Sequence, residues 1–176
     1  VSTLNCRLHR NGSTALGHYT VRGGVCAGNV LSGHIGTHAN GLTFYVGCRD
    51  MIIERNEVYD GNIALTIQEA QNMVIRNNIL DGGGRGTVVG IWVATPFKDV
   101  HFLNNTIVRG PRNSTWAAAV FSNNTKPEGL VFRNNIIDGL AGNLPALFEH
   151  NLYTSWGPNQ KNHQLGPGER FEEDLT

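Results

Sequence analysis

The chain has 176 residues, with 14 Lys plus Arg balanced by 14 Asp plus Glu, and 22 Gly against only 6 Pro. That is one domain long enough to bury a sizeable core, and glycine without matching proline fits frequent tight turns rather than disorder. Balanced charge leaves no field of one sign for nucleic acid or an anionic membrane, and no run of about 18 apolar residues is present to span a bilayer, so neither is an expected partner.

Taken in chain order, hydrophobic runs close on asparagine and reopen with apolar residues. Asn5, between Leu4 and Cys6, opens the series, and Asn29 follows, ahead of Val30 and Leu31. A polar stretch from Ser32 through His34, Thr37, His38 and Asn40 leads into the alternating set Leu42, Phe44 and Val46. Met51 and Ile53 then run into Asn56, and Met73 and Ile75 into Asn78. Val100 and Phe102 run into Asn105, and Leu130 and Phe132 into Asn135. A second alternating pair precedes each of these: Leu65 and Ile67, then Ile91 and Val93, then Ala118 and Val120. After Asn151 and Tyr153 the repeat dissolves. Residues 154–176 read as a tail folding over the last coil, and its acidic finish, Glu169 to Asp174, reads as a solvated face.

Successive asparagines from Asn5 to Asn135 are 24, 27, 22, 27 and 30 residues apart, within the range of solenoids and propellers. Alternation of period two is strand periodicity. A propeller blade needs about 40 residues and a leucine-rich repeat a Leu-x-x-Leu-x-Leu frame; with neither present, the expected fold is all-β, a right-handed parallel β-helix of about six coils over residues 1–153, with at least two strands per coil. Coils about 4.8 Å apart place like turn residues above one another. Asparagine tolerates the left-handed turn and can bond the amide of the next coil, so an asparagine ladder is expected. Cys6, Cys26 and Cys48 are odd in number, about one period apart and without a Cys-x-x-Cys pair, and read as stacked small core or turn residues. The chain opens on Val1 with neither a leader pattern nor a capping helix ahead of Leu4. The corresponding expectations are a signal peptide absent or removed, and a first coil either covered by another subunit or preceded by further chain.

The repeats, above all the phrase from Asn72 to Gly82 and the run Phe148-Glu149-His150-Asn151-Leu152-Tyr153, resemble those of the pectate-lyase-like superfamily of right-handed parallel β-helices. The resemblance covers the chain from Leu4 to Tyr153 and implies a carbohydrate-associated protein acting on or binding polysaccharide, in an extracellular or periplasmic setting. Function then belongs to outward residues, since inward ones are committed to the core. The alternation sets the outward pairs as Thr43 and Tyr45, Thr66 and Gln68, Trp92 and Ala94, and Ala119 and Phe121. Aromatic rings on such a face can stack on sugars. The turn Thr37-His38-Ala39-Asn40-Gly41-Leu42 resembles the His-x-Asp-Gly-Ile turn of many polysaccharide-active β-helices, with Asn40 where a carboxylate is common. Candidate catalytic residues are His38 as acid or base, Tyr45 for proton transfer, Arg49 to neutralise a substrate carboxylate, and Glu69. Asn40, Thr43, Gln68, Trp92 and Phe121 are candidate substrate contacts. No adjacent outward pair of acids suits a glycosidase, and no acid cluster suits calcium, so no cofactor is expected. His34 and His38 lie four apart on a turn without a third ligand, which argues against zinc. Two function classes follow: a lyase, epimerase or hydrolase of polysaccharide, or a non-catalytic module that binds glycan or self-associates.

Overall fold

The computed structural model describes residues 1–36, 38–82, 87–92, 97–109, 120–122, 128–142, 145–155 and 164–172, with the side chains of 121, 122 and 142 outside that description. The chain winds as a parallel solenoid with three strands per coil, one more than the sequence pattern set as a minimum. Sheet A collects β1 (Ser2–Leu4), β4 (Arg22–Ala27), β7 (Arg49–Glu54), β10 (Gln71–Arg76), β13 (Lys98–Leu103), β16 (Glu128–Arg133) and β19 (Leu147–Glu149). Sheet B collects β2 (Arg7–His9), β5 (Val30–Ser32), β8 (Glu57–Tyr59), β11 (Ile79–Gly82), β14 (Thr106–Arg109), β17 (Ile136–Asp138), β20 (Leu152–Ser155) and β21 (Arg170–Phe171). Sheet C collects β3 (Leu16–Tyr19), β6 (Leu42–Tyr45), β9 (Leu65–Gln68), β12 (Val89–Trp92), β15 (Val120–Ser122) and β18 (Leu140–Gly142). Among the described residues sheet C has six strands.

Like residues stack because parallel register places them one coil apart. On sheet A, Met51, Met73, Val100 and Leu130 form one inward row, and Ile53, Ile75, Phe102, Phe132 and Phe148 another. The rings of Phe102 and Phe132 stack at 4.6 Å and those of Phe132 and Phe148 at 5.2 Å, close to the coil repeat. Leu31, Val58, Leu80, Ile107, Ile137 and Tyr153 line the core from sheet B, and sheet C closes it with Leu42, Leu65, Val89 and Val120.

The corner between sheets A and B holds the ladder. Asn29, Asn56, Asn78, Asn105, Asn135 and Asn151 are buried there, and each of the first five donates its Nδ2 to Oδ1 of the next at 2.8–3.0 Å. The same oxygen accepts the preceding asparagine's backbone N–H, and each Nδ2 also donates to a carbonyl of the coil before, as Asn105 does to Ile75. The left-handed turn falls to a different residue, one position earlier: Gly28, Arg55, Asn77, Asn104, Asn134 and His150 all have φ between 52° and 66°. Turn formation and ladder bonding are therefore divided between neighbours. Asn5, expected to be a ladder member, is one of these left-handed residues at φ 54°, and Cys6 takes the ladder position, donating its N–H to Asn29 Oδ1.

At the other end the ladder runs into a carboxylate. Glu169 Oε1 accepts from Asn151 Nδ2 at 3.0 Å and from the Tyr153 hydroxyl, while its Oε2 accepts the Gly166 N–H. Glu169 is 8% exposed, which corrects its reading as part of a solvated acidic face. β21 pairs with β20 alongside it. The cysteines are reduced and occupy three separate places rather than one stack: Cys6 at the ladder, Cys26 facing the core on β4, and Cys48 at the corner before β7, donating to the carbonyls of His18 and Tyr45. Burial pushes the Cys26 thiol up to about 12.

Candidate functional site

The outer face of sheet C is built from two rows. Register pairs Gly17 with Thr43, Thr43 with Thr66, Thr66 with Gly90 and Gly90 with Phe121. Two residues further along each strand, Tyr19 pairs with Tyr45 and Gln68 with Trp92. Tyr19, Tyr45, Gln68 and Trp92 thus form a line of one residue per coil, about 14 Å from first to last at the ordinary strand spacing. The glycines are what let the end rings lie down. A Cβ at Gly17 would come within 2.8 Å of Tyr19 Cε2, and one at Gly90 within 2.7 Å of Trp92 Nε1, so each ring folds back over the glycine two positions before it. Tyr19 meets Tyr45 edge to face at 5.9 Å.

Beneath this line the threonines are sealed. Thr43 and Thr66 have no exposed surface, and their hydroxyl oxygens close no hydrogen bond of ordinary geometry. Thr66 lies near enough to the Tyr45 phenol to oppose its rise in pKa, but burial dominates and pushes that phenol above its ordinary value. Tyr45 is thereby held protonated, suited to donating a hydrogen bond and unsuited to acting as a base near neutral pH. The surface offered to a ligand is therefore two phenols, an amide and an indole. Tyr19 is 56% exposed and the other three are partly exposed.

Several of the expected site residues move relative to one another in three dimensions. Trp92 aligns with Gln68 and Tyr45 rather than with Thr66, because the buried pair of β12 is Val89 and Ile91; Val93 lies outside the described residues. Phe121 pairs with Gly90, in the threonine row, and its side chain lies outside the described residues, as do Ala94 and Ala119. Val46 is no core residue: it sits in the left-handed corner at φ 57°, 55% exposed. Thr43 is buried and Asn40 is 6% exposed, held in the turn with its N–H on the His38 carbonyl and its own carbonyl on the Ala15 N–H.

His38 is exposed, with φ 59° and its carbonyl also accepting from Thr14 Oγ1. It precedes β6 while Tyr45 ends it, so the whole strand, about 10 Å, separates them. Glu69 follows Gln68 in the left-handed corner at φ 55°, and Arg49 opens β7 beyond that corner. Tyr45, Gln68 and Glu69 share one end of the sheet, Arg49 lies around the corner, and His38 is at the opposite end. His34, in the same turn as His38, is buried, takes the Asn11 N–H on Nδ1 and is held below the usual histidine value by burial. Among the described residues no three His, Cys, Asp or Glu side chains converge on a point. Tyr19 is the surface residue the sequence pattern missed. The signal was present, since Gly17-His18-Tyr19 and Gly90-Ile91-Trp92 share a Gly-x-aromatic form.

A family model for the right-handed β-helix region matches residues 1–153. The chain belongs to the right-handed β-helix family. No curated protein matches this β-helix chain. Among solved structures, a mutant of the PL6-family alginate lyase AlyGC is similar at 10% identity and a TM-score of 0.35, with 98% of this chain and 34% of that chain covered. This β-helix chain thus spans about a third of the length of that lyase. No helix among the described residues is long and apolar enough to cross a membrane.

Proposed function

We propose that this β-helix protein binds an extended polysaccharide or oligosaccharide along the outer face of sheet C. The observation that carries the reading is the in-register line of Tyr19, Tyr45, Gln68 and Trp92 on a flat ladder of parallel strands. Flat rings with polar edges suit the alternating apolar and hydroxyl surfaces of a pyranose. A line of about 14 Å accommodates several sugar units rather than one. With equal numbers of acidic and basic residues, the chain presents no overall charge to select a strongly anionic polymer.

Binding without cleavage is the form the geometry favours. His38 stands a strand length from Tyr45, and Tyr45 is held protonated by burial. A catalytic form of the same reading would place Glu69 and Tyr45 at the reacting sugar, with Arg49 reaching round the corner to a substrate carboxylate.

Affinity electrophoresis against a panel of neutral and uronate polysaccharides, with simultaneous assay for new reducing or unsaturated ends, tests both forms. Retardation by at least one polymer, weakened roughly tenfold or more by Trp92→Ala and by Tyr19→Ala with unchanged melting, is the expected result. Retention of binding in both variants sinks the platform. New chain ends that disappear in Glu69→Gln would establish the catalytic form.

A further inference from the structure

The outer face of sheet A carries a feature with no role in glycan binding. From β4 to β19 its mid-strand outward row is Val25, Ile52, Val74, His101, Val131 and Leu147, stacked in register across successive coils, with Ser2 of β1 at the end of the row. Five of the six from β4 to β19 are apolar, where the solvent side of a strand is normally polar. Ile52 is 36% exposed, Leu147 is 48% exposed, and the other four are partly exposed. The stripe runs about 24 Å along the coil axis, and with strands of six residues it belongs to a flat face of very roughly 500–600 Å².

Charge flanks the stripe on both sides. One flanking row runs Arg22, Arg49, Gln71, Lys98 and Glu128, and the other runs Ala27, Glu54, Arg76, Leu103, Arg133 and Glu149; within one chain Lys98 pairs with Glu128, Arg76 with Glu54 and Arg133 with Glu149, while Arg49 is exposed. In the first row a cation on β7 is matched by an anion on β16. In the second the order is reversed, an anion on β7 and a cation on β16.

We propose that this face is the interface of a twofold dimer of the chain, two sheets A packed face to face with strands aligned and coils running in opposite directions. A twofold axis along the strand direction, placed between β10 and β13, keeps each row opposite itself and reverses the order of coils. Arg49 then faces Glu128 of the second copy, twice by symmetry. Val74 meets His101, Ile52 meets Val131 and Val25 meets Leu147, so the apolar stripe closes on itself. Among the described residues no pair of like charges is opposed in either row. The two faces together bury on the order of 1,000–1,200 Å², the lower end of specific association, which sets a reversible dimer rather than an obligate one. Sheet C lies on another side of the coil and remains open.

Sedimentation equilibrium on the full chain over roughly 1–200 µM reads the proposal directly. The wild type is expected to show a monomer–dimer equilibrium within that range. Arg49→Glu and Glu128→Arg are each expected to weaken it at least about tenfold by opposing like charges, and the double reversal to restore it to within about threefold of wild type. Ile52→Lys is expected to leave a monomer; should it fold poorly by circular dichroism, the exposed Arg49→Glu carries the test alone. A wild type that stays monomeric throughout overturns the proposal, as does a dimer indifferent to both Ile52→Lys and Arg49→Glu. A double reversal that fails to rescue overturns the antiparallel arrangement of coils.

Discussion

A single ladder asparagine satisfies four buried groups at once, which makes its removal costly. Asn105 Oδ1 accepts both the backbone N–H and the Nδ2 of Asn78, and its own Nδ2 donates to the Ile75 carbonyl and to Asn135. Replacing it with alanine leaves at least two buried donors and one carbonyl without partners and opens a small void. Asn105→Ala is therefore expected to lower unfolding free energy by about 3–5 kcal/mol in urea denaturation, against less than about 1 kcal/mol for Asn104→Gly, where φ is already 55°. Equal losses at the two positions would contradict the division of labour between them. At the first corner the lone asparagine, Asn5, holds the turn and Cys6 the ladder position: a one-residue offset is invisible to spacing but decides which side chain faces the core.

At the scale of the element, β3 and the turn after β5 contain two histidines with no surface role. His18 stacks on Phe44 at 4.8 Å and contacts Thr3 Oγ1 through Nε2, and His34 is buried in the turn. Burial holds both imidazoles below their ordinary value, for His18 with help from the N-terminal amine and for His34 from His9. The folded chain therefore keeps them neutral, while the unfolded chain takes up protons below about pH 6.5. Their contribution to stability is complete above that pH and falls as acid is added, until the depressed folded values are reached. A melting temperature that drops between pH 7.5 and 5 is expected, with a shallower drop in His18→Phe, which keeps the ring stack and removes the titration. An unchanged slope in that variant would remove His18 as a cause. The same strands explain the misalignment of Trp92. Turns of unequal length between strands leave the starting residue of β12 undetermined by alternation alone, and Val89 with Ile91 fits the inward pattern as well as Ile91 with Val93.

A solenoid has two open ends, and its stability is a sum over coils and the contacts between them. Past the last ladder residue, Glu169 receives the last ladder amide, the Tyr153 hydroxyl and the Gly166 N–H, while Arg170 and Phe171 extend sheet B past β20. Glu169→Ala is expected to cost about 2–4 kcal/mol and to fray β21 first, seen as early loss of amide protection at Glu172 and Arg170, whose N–H groups bond to Tyr153 and Asn151. Uniform loss of protection along the whole chain would show that the carboxylate is not a local cap. The solenoid itself was determined by sequence: apolar residues recurring with period two inside an asparagine repeat of 22–30 residues admit few other ways to bury them. Tertiary structure alone decided the rest. It made Cys6 rather than Asn5 the ladder's first donor, set Trp92 in line with Tyr45, buried Thr43, Asn40 and Glu169, and set His38 a strand length from Tyr45. The physical reason is common to all of these. Local pattern shows that a residue alternates or turns, but which coil it stacks upon depends on the summed lengths of the connections, and burial depends on what that stacking brings overhead.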